Sequence, residues 1–420
     1  MAPVRHLRWW IASLLAIATA LNYLDRQSLP VVVGEIQKEI PISDAQFGEL
    51  QSLFLLAYGT MYAVGGRLID RLGTRAGYAL MIVWWSTAAL LQGAVSSVLG
   101  LGVFRFLLGM GEGGGFPGSA KAVSEWFPPK ERSLACGIFN SGSSVGAVIA
   151  PPLIALIVLH LNWHWVFWLT GAAGYAWALA WWRLYDLPQN HRRLAPEERA
   201  HIADGLAANP VPAAESAASL RGWGQLLRFR QVWGLLIAKH LSDAAWFFYI
   251  FWLPKYLGDV RGLNLKQIGA YAWIPYAFSG AGCLLGGWLS GALVHRGKSL
   301  DHARKIALAT GAALMPLSLL IVSAPLHLAL LLFSLAMFGH QFWSTIMQTL
   351  PADLVPSRLV GSVAGLAGAA GAFGGMFFSY AVGHLIAHHG YAPAFIIAGT
   401  LHPVALLFIL FLTRKIERIV

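Results

Sequence analysis

Long uncharged apolar runs dominate the chain. Asp, Glu, Lys and Arg are absent from residues 76–104, 133–182, 306–352 and 359–413. A membrane-spanning helix needs about 20 apolar residues, so each of the last three runs is long enough for two spans. Apolar and polar residues do not alternate along these runs, which excludes the strand pattern of an outer-membrane barrel. The pattern therefore predicts an all-helical protein that crosses a membrane many times.

Turn residues and charge clusters divide the chain into twelve predicted spans. The spans lie near residues 9–33, 47–69, 76–96, 98–120, 133–157 and 163–187, and then near 229–257, 266–294, 303–323, 326–350, 359–387 and 391–413. Residues 1–187 and 229–420 are thus two predicted six-helix bundles. Residues 188–228 form a polar linker, with a short surface helix predicted at residues 196–206 and a flexible strap elsewhere.

The composition agrees with this picture and excludes several other classes of protein. The chain is 57% hydrophobic and 12% charged, which leaves too little polar surface for a water-soluble globule. Its two cysteines, Cys136 and Cys283, lie in apolar segments, so neither a disulfide framework nor a thiolate metal site is predicted. The net charge of +11 is explained by membrane topology, and no nucleic-acid partner is expected.

The positions of Lys and Arg predict the orientation. With both termini in the cytoplasm, most of these residues fall in inner segments, and the ones that face outward are Lys38, Lys255, Arg261 and Lys266. Both termini are therefore expected to be cytoplasmic. The first apolar stretch ends in a passable signal-peptide cleavage site at residues 18–20, but its removal would leave an odd number of spans, so we expect it to be retained.

Two sequence patterns recur at a spacing of roughly 220 residues. Residues 66–75 after helix 2 are echoed by residues 287–297 after helix 8, and residues 127–146 are echoed by residues 355–375. Two related halves with a binding site between them are typical of secondary transporters.

These motifs carry a family resemblance that covers essentially the whole chain. Residues 66–75 match the pattern G-x-L-x-D-R-x-G-x-R of the loop between helices 2 and 3 of the major facilitator superfamily. Residues 22–26 and 105–117 resemble the anion:cation symporter family, and residues 243–256 and 339–344 resemble bacterial hexuronate transporters. One departure is Ser144, which stands where an amide side chain is expected. The resemblance implies proton-coupled uptake of a sugar acid, such as glucuronate or galacturonate, across an inner membrane by alternating access.

Six ionisable residues at bilayer depth are the main candidates for chemistry. An ionised side chain there costs ~3 kcal/mol or more, so each should be paired, protonated or directed at a cavity. These residues are Asp25, Arg26, Arg105, Glu112, Lys239 and Asp243. Arg105 and Glu112 are seven residues apart and share a helix face. They could form a static network that joins helices 1 and 4, or a site whose proton affinity changes when an arginine moves.

The planar guanidinium suits a carboxylate, so Arg26 or Arg105 is predicted to bind the acid group of the substrate. The resemblance further implies that Asp25 and Glu112 carry protons, and that Arg26 alternates between Glu112 and the substrate. No cofactor beyond the coupling proton is expected.

Aromatic and polar side chains complete the predicted sugar site. Tyr58, Trp246 and Tyr249 could pack against a pyranose ring, although tryptophans also anchor helices at the membrane interface. The candidates for binding hydroxyl groups are Asn140, Ser144, Gln341, Trp343, Ser344 and Gln348, and the same residue types also join helices to one another. Asp243 could either bind the sugar or form a structural pair with Lys239, four residues earlier. His240 and His340 are expected to be neutral and bonded to carbonyl groups.

The loop after helix 2 is predicted to be a gate. The resemblance implies that Asp70 caps a facing helix and pairs with Arg132 when the cytoplasmic side is shut, with Arg71 and Arg75 in the same motif.

Other classes of function fit less well. An enzyme is not predicted, because the glycine-rich residues 111–115 lack the lysine and hydroxyl group of a phosphate-binding loop. We expect a monomeric multi-pass protein of a bacterial inner membrane. The alternative within transporters is the uptake of an aldonate, an aldarate or another organic anion by the same machinery.

Overall fold

The computed structural model describes residues 4–207, 224–355, 357–417 and 419. Most of the predicted strap, residues 208–223, lies outside the described residues. The described residues are almost entirely helical, with a single bridge between Val4 and Leu194.

Helices account for every predicted span. The first half contains α1 (Leu7–Ile36), α2 (Asp44–Leu72), α3 (Thr74–Gln92), α4 (Val98–Gly113), α5 (Gly115–Trp126), α6 (Pro129–His160) and α7 (Trp163–Leu184), followed by α8 (Pro196–Ala207). The second half contains α9 (Arg230–Asp259), α10 (Leu265–Tyr271), α11 (Trp273–His295), α12 (Leu300–Leu314), α13 (Leu326–Leu354), α14 (Ser357–His389) and α15 (Ala392–Phe408). A 3₁₀ turn at Met315–Leu320 extends α12, and a π-helical turn at Ile409–Thr413 extends α15.

Two predicted spans are divided. The fourth span becomes α4 and α5, which meet at Gly114 within three consecutive glycines, and the eighth becomes α10 and α11. Glycine has a low helix propensity, which explains the first break. Eight of the described membrane helices or helix pairs are long and apolar enough to cross a bilayer by length and composition alone. The architecture is an all-α membrane fold of twelve spans in two pseudo-symmetric bundles.

Glycines bring helices into backbone contact in both halves. A Cβ atom on Gly142 or Gly146 of α6 would lie within 2.4 Å of a backbone carbonyl oxygen of α1. In the other half, a Cβ atom on Gly374 of α14 would lie 1.9 Å from the carbonyl oxygen of His240 in α9. Small residues allow this close approach in membrane helices. The two echoed small-residue runs therefore have the same role in the two halves, which is to allow close contact between helices.

Prolines inside three spans expose backbone carbonyl groups that neighbouring helices satisfy. A proline has no N–H group, so the carbonyl group four residues earlier loses its bond within the helix. In each case a side chain from another helix donates to that carbonyl oxygen, as membrane helices require. Arg105 donates to Arg26 O before Pro30 at 2.9 Å, Gln27 donates to Ala147 O before Pro151 at 3.4 Å, and Tyr276 donates to Ile250 O before Pro254 at 3.3 Å.

The linker helix α8 is bound to the first half. Glu198 of α8 accepts hydrogen bonds from the backbone N–H groups of Leu7 and Arg8 at 2.9 and 3.2 Å, and it pairs with the Arg8 guanidinium at 2.8 Å. Arg8 also donates to Glu131 at 2.8 Å. This cluster lies at the end of the bundle that carries both chain ends, which we call the termini face. The surface helix predicted at residues 196–206 is confirmed.

The two halves are closed at the end away from the termini face, which we call the opposite face. Helices α2 and α14 touch there, where Gly48 meets Gly383 and Ser52 donates to the Met376 carbonyl oxygen at 3.0 Å. Closer to the termini face, Asn140 of α6 donates to Gln348 of α13 at 3.2 Å. Gln348 is exposed although it lies between the halves, so the space between them opens toward the termini face.

An ion cluster joins the halves at the opposite face. Lys255 of α9 is 4% exposed and contacts Asp44 of α2 at 2.8 Å and Asp259 of its own helix at 2.5 Å. Tyr391 donates to Asp259 at 3.0 Å. We call these four residues the latch, because the Asp44–Lys255 pair crosses between the two halves.

Candidate functional site

A buried ion pair between α1 and α4 forms the centre of the site. The Nε and Nη2 atoms of Arg26 lie 3.2 and 3.0 Å from Oε2 of Glu112, and Nη2 also donates to Asn22 Oδ1 at 3.0 Å. The two charged side chains are 2% and 0% exposed. Among the described residues, the second oxygen of Glu112, Oε1, has no hydrogen-bond partner.

Aromatic rings surround the Arg26 guanidinium. Its Cζ atom lies 4.7 Å from the ring centroids of both Tyr23 and Tyr58, and 5.4 Å from that of Phe54. Cation–π contacts of this kind stabilise a cation that has left water. Tyr58, which the sequence predicts to pack against a sugar ring, therefore lies at the ion pair and faces a guanidinium in this state.

Arg105 lies beside this pair and is only partly satisfied. Its Nη2 atom donates to Arg26 O at 2.9 Å and to Gln51 Oε1 at 2.7 Å, and its Cζ atom lies 4.7 Å from the ring of Phe54. Its Nε and Nη1 atoms are buried without a partner among the described residues. A fully buried guanidinium with two free donor groups is suited to bind an anion.

Asp25 has a different environment from Glu112. It is 2% exposed, and neither carboxyl oxygen has a hydrogen-bond partner in the part of the chain that the structure describes. The Thr170 hydroxyl group of α7 faces it. Burying an ionised carboxylate without a partner is costly, whereas a neutral carboxyl group avoids most of this cost. The geometry thus gives one acid that is paired with an arginine and one that is not.

Trp246 is the aromatic candidate from the second half, and one of its faces is covered. Its ring stacks on His340 with centroids 4.6 Å apart and an angle of 10° between the planes. His340 was expected to bond a carbonyl group, and this was wrong: its Nδ1 atom lies 3.0 Å from Nε2 of His402, because α15 places that ring beside it. His240 does contact a carbonyl oxygen, that of Ala370, at 3.0 Å.

Other candidates lie apart from the ion pair. Tyr249 and Trp343 are completely buried within the second half, where Tyr249 packs against Phe333 and Trp343 against His402. Asp243 is held by Lys239, with Nζ–oxygen distances of 2.7 and 3.0 Å. This pair favours the structural alternative for Asp243.

The polar candidates of α6 and α13, which are the fifth and tenth predicted spans, do meet between the halves. Asn140 contacts Gln348, which also donates to Ser344 at 3.4 Å. Ser144 lies opposite Gly280 of α11. The side chain of Gln341 is half-buried on the same helix as Gln348. These groups form a polar strip that faces the open space between the halves.

The predicted gate residues make contacts within the first half. Asp70 pairs with Lys121 at 2.5 Å, whereas Arg132 donates to the carbonyl oxygens of Phe127 and Ser124, each at 3.1 Å. The Asp70–Arg132 pair that the resemblance implies for a shut termini face is not formed in this open state. Arg75 donates to Trp182 O and lies 3.7 Å from Asp186, and Arg71 is exposed.

Several site residues were missed from the sequence. Gln51 bonds Arg105, Asn22 bonds Arg26, and Asp44 pairs with Lys255 across the halves. A buried amide inside an apolar span was the available signal for Gln51. No group of three or more His, Cys, Asp or Glu that could hold a metal occurs among the described residues.

The chain is similar in sequence to known transporters of sugar acids. The chain is 35% identical over 399 residues to the hexuronate transporter of Escherichia coli strain K12, covering 94% of this chain and 91% of the relative. It is 31% identical over 422 residues to a D-galactonate transporter of Escherichia coli O6:H1, covering 98% of this chain and 97% of that one.

A solved structure has the same fold. It is a bacterial homologue of the human lysosomal transporter Spinster, in an inward-facing and occupied conformation, with a TM-score of 0.73, 19% identity and 98% coverage of both chains. The family model of the Major Facilitator Superfamily matches residues 15–379. With twelve spans in two related halves and a buried charge pair between α1 and α4, the chain belongs to the major facilitator superfamily, a family of multi-pass membrane transporters.

Proposed function

We propose that this protein is a symporter that carries a hexuronate, such as glucuronate or galacturonate, into a bacterial cell together with protons. The observation that carries the proposal is the buried Arg26–Glu112 pair beside Arg105, whose Nε and Nη1 atoms have no partner among the described residues. The hexuronate relative gives the substrate class. The protein is proposed to act as a monomeric transporter and not as an enzyme, with both termini in the cytoplasm, so the termini face is the cytoplasmic face.

The mechanism follows from competition for Arg26. In the described state, Glu112 holds this guanidinium through Oε2. When Glu112 takes up a proton it becomes a weaker partner, and Arg26 is free to bind the carboxylate of the substrate. Substrate and proton therefore bind together. Release of the proton on the cytoplasmic side restores the ion pair and expels the sugar acid.

Asp25 supplies the second proton site. Its carboxyl group lacks a hydrogen-bond partner among the described residues, so ionisation is tolerated only when a cation approaches or water enters. The latch closes the periplasmic side in the described state. Alternating access then requires the Asp44–Lys255 pair to break while the two halves close around the polar strip at the cytoplasmic side.

Uptake into proteoliposomes tests the proposal. With an imposed inward proton gradient, labelled glucuronate should accumulate, and the Glu112→Gln and Asp25→Asn variants should bind or exchange substrate without gradient-driven accumulation. Full accumulation by both variants would contradict the coupling assignment. Arg26→Lys and Arg105→Lys keep the charge but lose the planar fork, so at least one should bind glucuronate less tightly. Wild-type affinity in both would place the carboxylate elsewhere.

An aldonate is the second candidate substrate, and two observations favour it. The D-galactonate relative covers nearly the whole chain, and His340 occupies one face of Trp246. A pyranose uronate has a rigid face that an open-chain aldonate lacks, and one aromatic contact is worth roughly 1 kcal/mol. Competition assays should show glucuronate inhibiting uptake several-fold more strongly than galactonate, with a smaller gap in Trp246→Ala. Equal or stronger inhibition by galactonate would select the aldonate.

A further inference from the structure

A small internal cavity lies beside Glu112, between α1, α3, α4 and α5. Asn22, Tyr78, Trp85, Glu112 and Gly115 contribute to its walls. The volume open to the centre of a water-sized sphere is about 10 Å³. This is close to the minimum that one water molecule needs, provided that two to four polar groups can bond it.

The cavity walls carry polar groups that lack partners. Glu112 and Trp85 are each 1% exposed, and Glu112 Oε1 and Trp85 Nε1 have no hydrogen-bond partner among the described residues. Glu112 Oε2 is engaged by Arg26, so Oε1 is the oxygen left for the cavity. Unsatisfied buried groups of this kind commonly mark an ordered water molecule. The other charged groups near Glu112 are Arg26 and Asp25 from α1 and Arg105 from its own helix.

Tyr78 connects this cavity toward the termini face. Its hydroxyl group lies 2.8 Å from Ser119 Oγ of α5, and both side chains are 1% exposed. Tyr78 is four residues from Thr74, where α3 begins at the termini face. At 1.5 Å per residue this separation is only about 6 Å. A proton that passes from Glu112 to Tyr78 has thus covered most of the distance to the termini face.

We propose that this cavity binds one water molecule, which bridges Glu112 Oε1 and the Tyr78 hydroxyl group and serves as the route by which the proton of Glu112 leaves toward the termini face. This inference rests on the proposed proton coupling. The carboxyl group gives its proton to the water, and the water passes one proton to the Tyr78 oxygen. Tyr78 in turn gives its own proton to Ser119, and Ser119 releases its own proton to the solvent at the termini face, so Glu112 is the only group in the relay whose net charge changes. The proton and the substrate then leave by separate routes.

Two substitutions test the route without touching the Arg26 pair. Tyr78→Phe removes the relay hydroxyl group. Gly115→Ala adds a methyl group in the cavity wall, where its nearest neighbour would be Trp85 at 3.7 Å, an ordinary contact distance. Each should slow proton-driven uptake at least fivefold while leaving counterflow exchange of substrate unchanged. The matched controls are Tyr175→Phe, whose hydroxyl group bonds Thr87, and Gly258→Ala, whose added methyl group would also have its nearest contact at 3.7 Å.

A second measurement does not depend on transport. The infrared difference spectrum between protein in H₂¹⁶O and in H₂¹⁸O should contain a narrow band from a buried water molecule, which Gly115→Ala abolishes and Gly258→Ala retains. Absence of that band in the wild-type protein, or wild-type uptake by Tyr78→Phe, would overturn the inference. Equal loss of uptake and counterflow would also overturn it, because that result indicates only a structural role. If the band is present but wild-type uptake ignores the proton gradient, the proposed function fails and the water site stands.

Discussion

The latch makes a quantitative prediction about the balance between the two states of the protein. Asp44→Asn removes the only latch pair that crosses between the halves among the described residues, while Lys255 keeps Asp259 as a partner. No buried charge is left alone, so the cost is limited to the lost pair. Asp44 is 28% exposed, which places the pair at about 1 kcal/mol. That energy corresponds to a roughly fivefold larger population open at the opposite face.

The change in the open population can be measured from the reactivity of a cysteine inside the closed interface. Ser52 bonds the Met376 carbonyl oxygen between α2 and α14, so Ser52→Cys should react with a membrane-impermeant maleimide only when the halves part. In a background without Cys136 and Cys283, Asp44→Asn should label about fivefold faster, since the rate follows the open population.

Asp259→Asn is the matched control for this experiment. It breaks a pair with the same lysine, but that pair lies within α9 and does not join the halves. Its labelling rate should equal that of the parent protein. If Asp44→Asn labels no faster than the parent, or if Asp259→Asn labels as fast as Asp44→Asn, the latch does not set the balance.

Three further predictions concern packing, pH and the Lys239 pair. Gly374→Ala should lower the thermal midpoint, because its Cβ atom would clash with a carbonyl oxygen at 1.9 Å and overpacking costs about 1–3 kcal/mol; Gly365→Ala on the same helix meets nothing within 4 Å and should leave the midpoint unchanged. Burial alone would raise the pKa of Glu131, but hydrogen bonds from Arg8 and His201 outweigh it and hold the pKa below its ordinary value of 4.5. The contribution of this carboxylate is complete above pH 4.5 and is lost as pH falls through the lower value, so hydrogen-exchange protection of α8 should be constant from neutral pH to pH 5 and should fall only below 4.5. Asp243→Asn should be less stable in heat denaturation than Lys239→Gln/Asp243→Asn, since the single change leaves Lys239, whose side chain is 14% exposed, without its partner; loss of substrate binding by the double variant at full stability would instead show that the Lys239–Asp243 pair contacts the sugar.

The fold could be predicted because its main determinant is local. Uncharged runs long enough for a span are visible in the sequence, and the described helices occupy each of them. The break at Gly114 was not predicted, although three consecutive glycines were its signal. The fourth predicted span, residues 98–120, satisfies the length criterion whether or not its helix is continuous.

The site was predictable only where charge made residues stand out. Arg26 and Glu112 are conspicuous inside apolar spans, and the structure pairs them. The sequence did not predict which residues of α9 face the space between the halves, because residues 242–257 are all buried and no stripe of polar residues marks one side of the helix. This is why Tyr249 was expected beside Trp246 but lies in the interior of the second half. The bond between Gln51 and Arg105 likewise depends on the rotation of α2, which no short sequence pattern encodes.

Pro30 has an electrical consequence. The carbonyl oxygen that it frees holds Arg105 to the backbone of α1, so the positive charge of Arg105 is tied to a main-chain atom. Moving one elementary charge through the whole membrane potential is worth about 2.3 kcal/mol per 100 mV, whereas a charge that keeps its depth does no electrical work. Arg105 therefore acts as a stationary countercharge. In the proposed symport cycle, the current is then set by the substrate, the protons and the movement of Arg26.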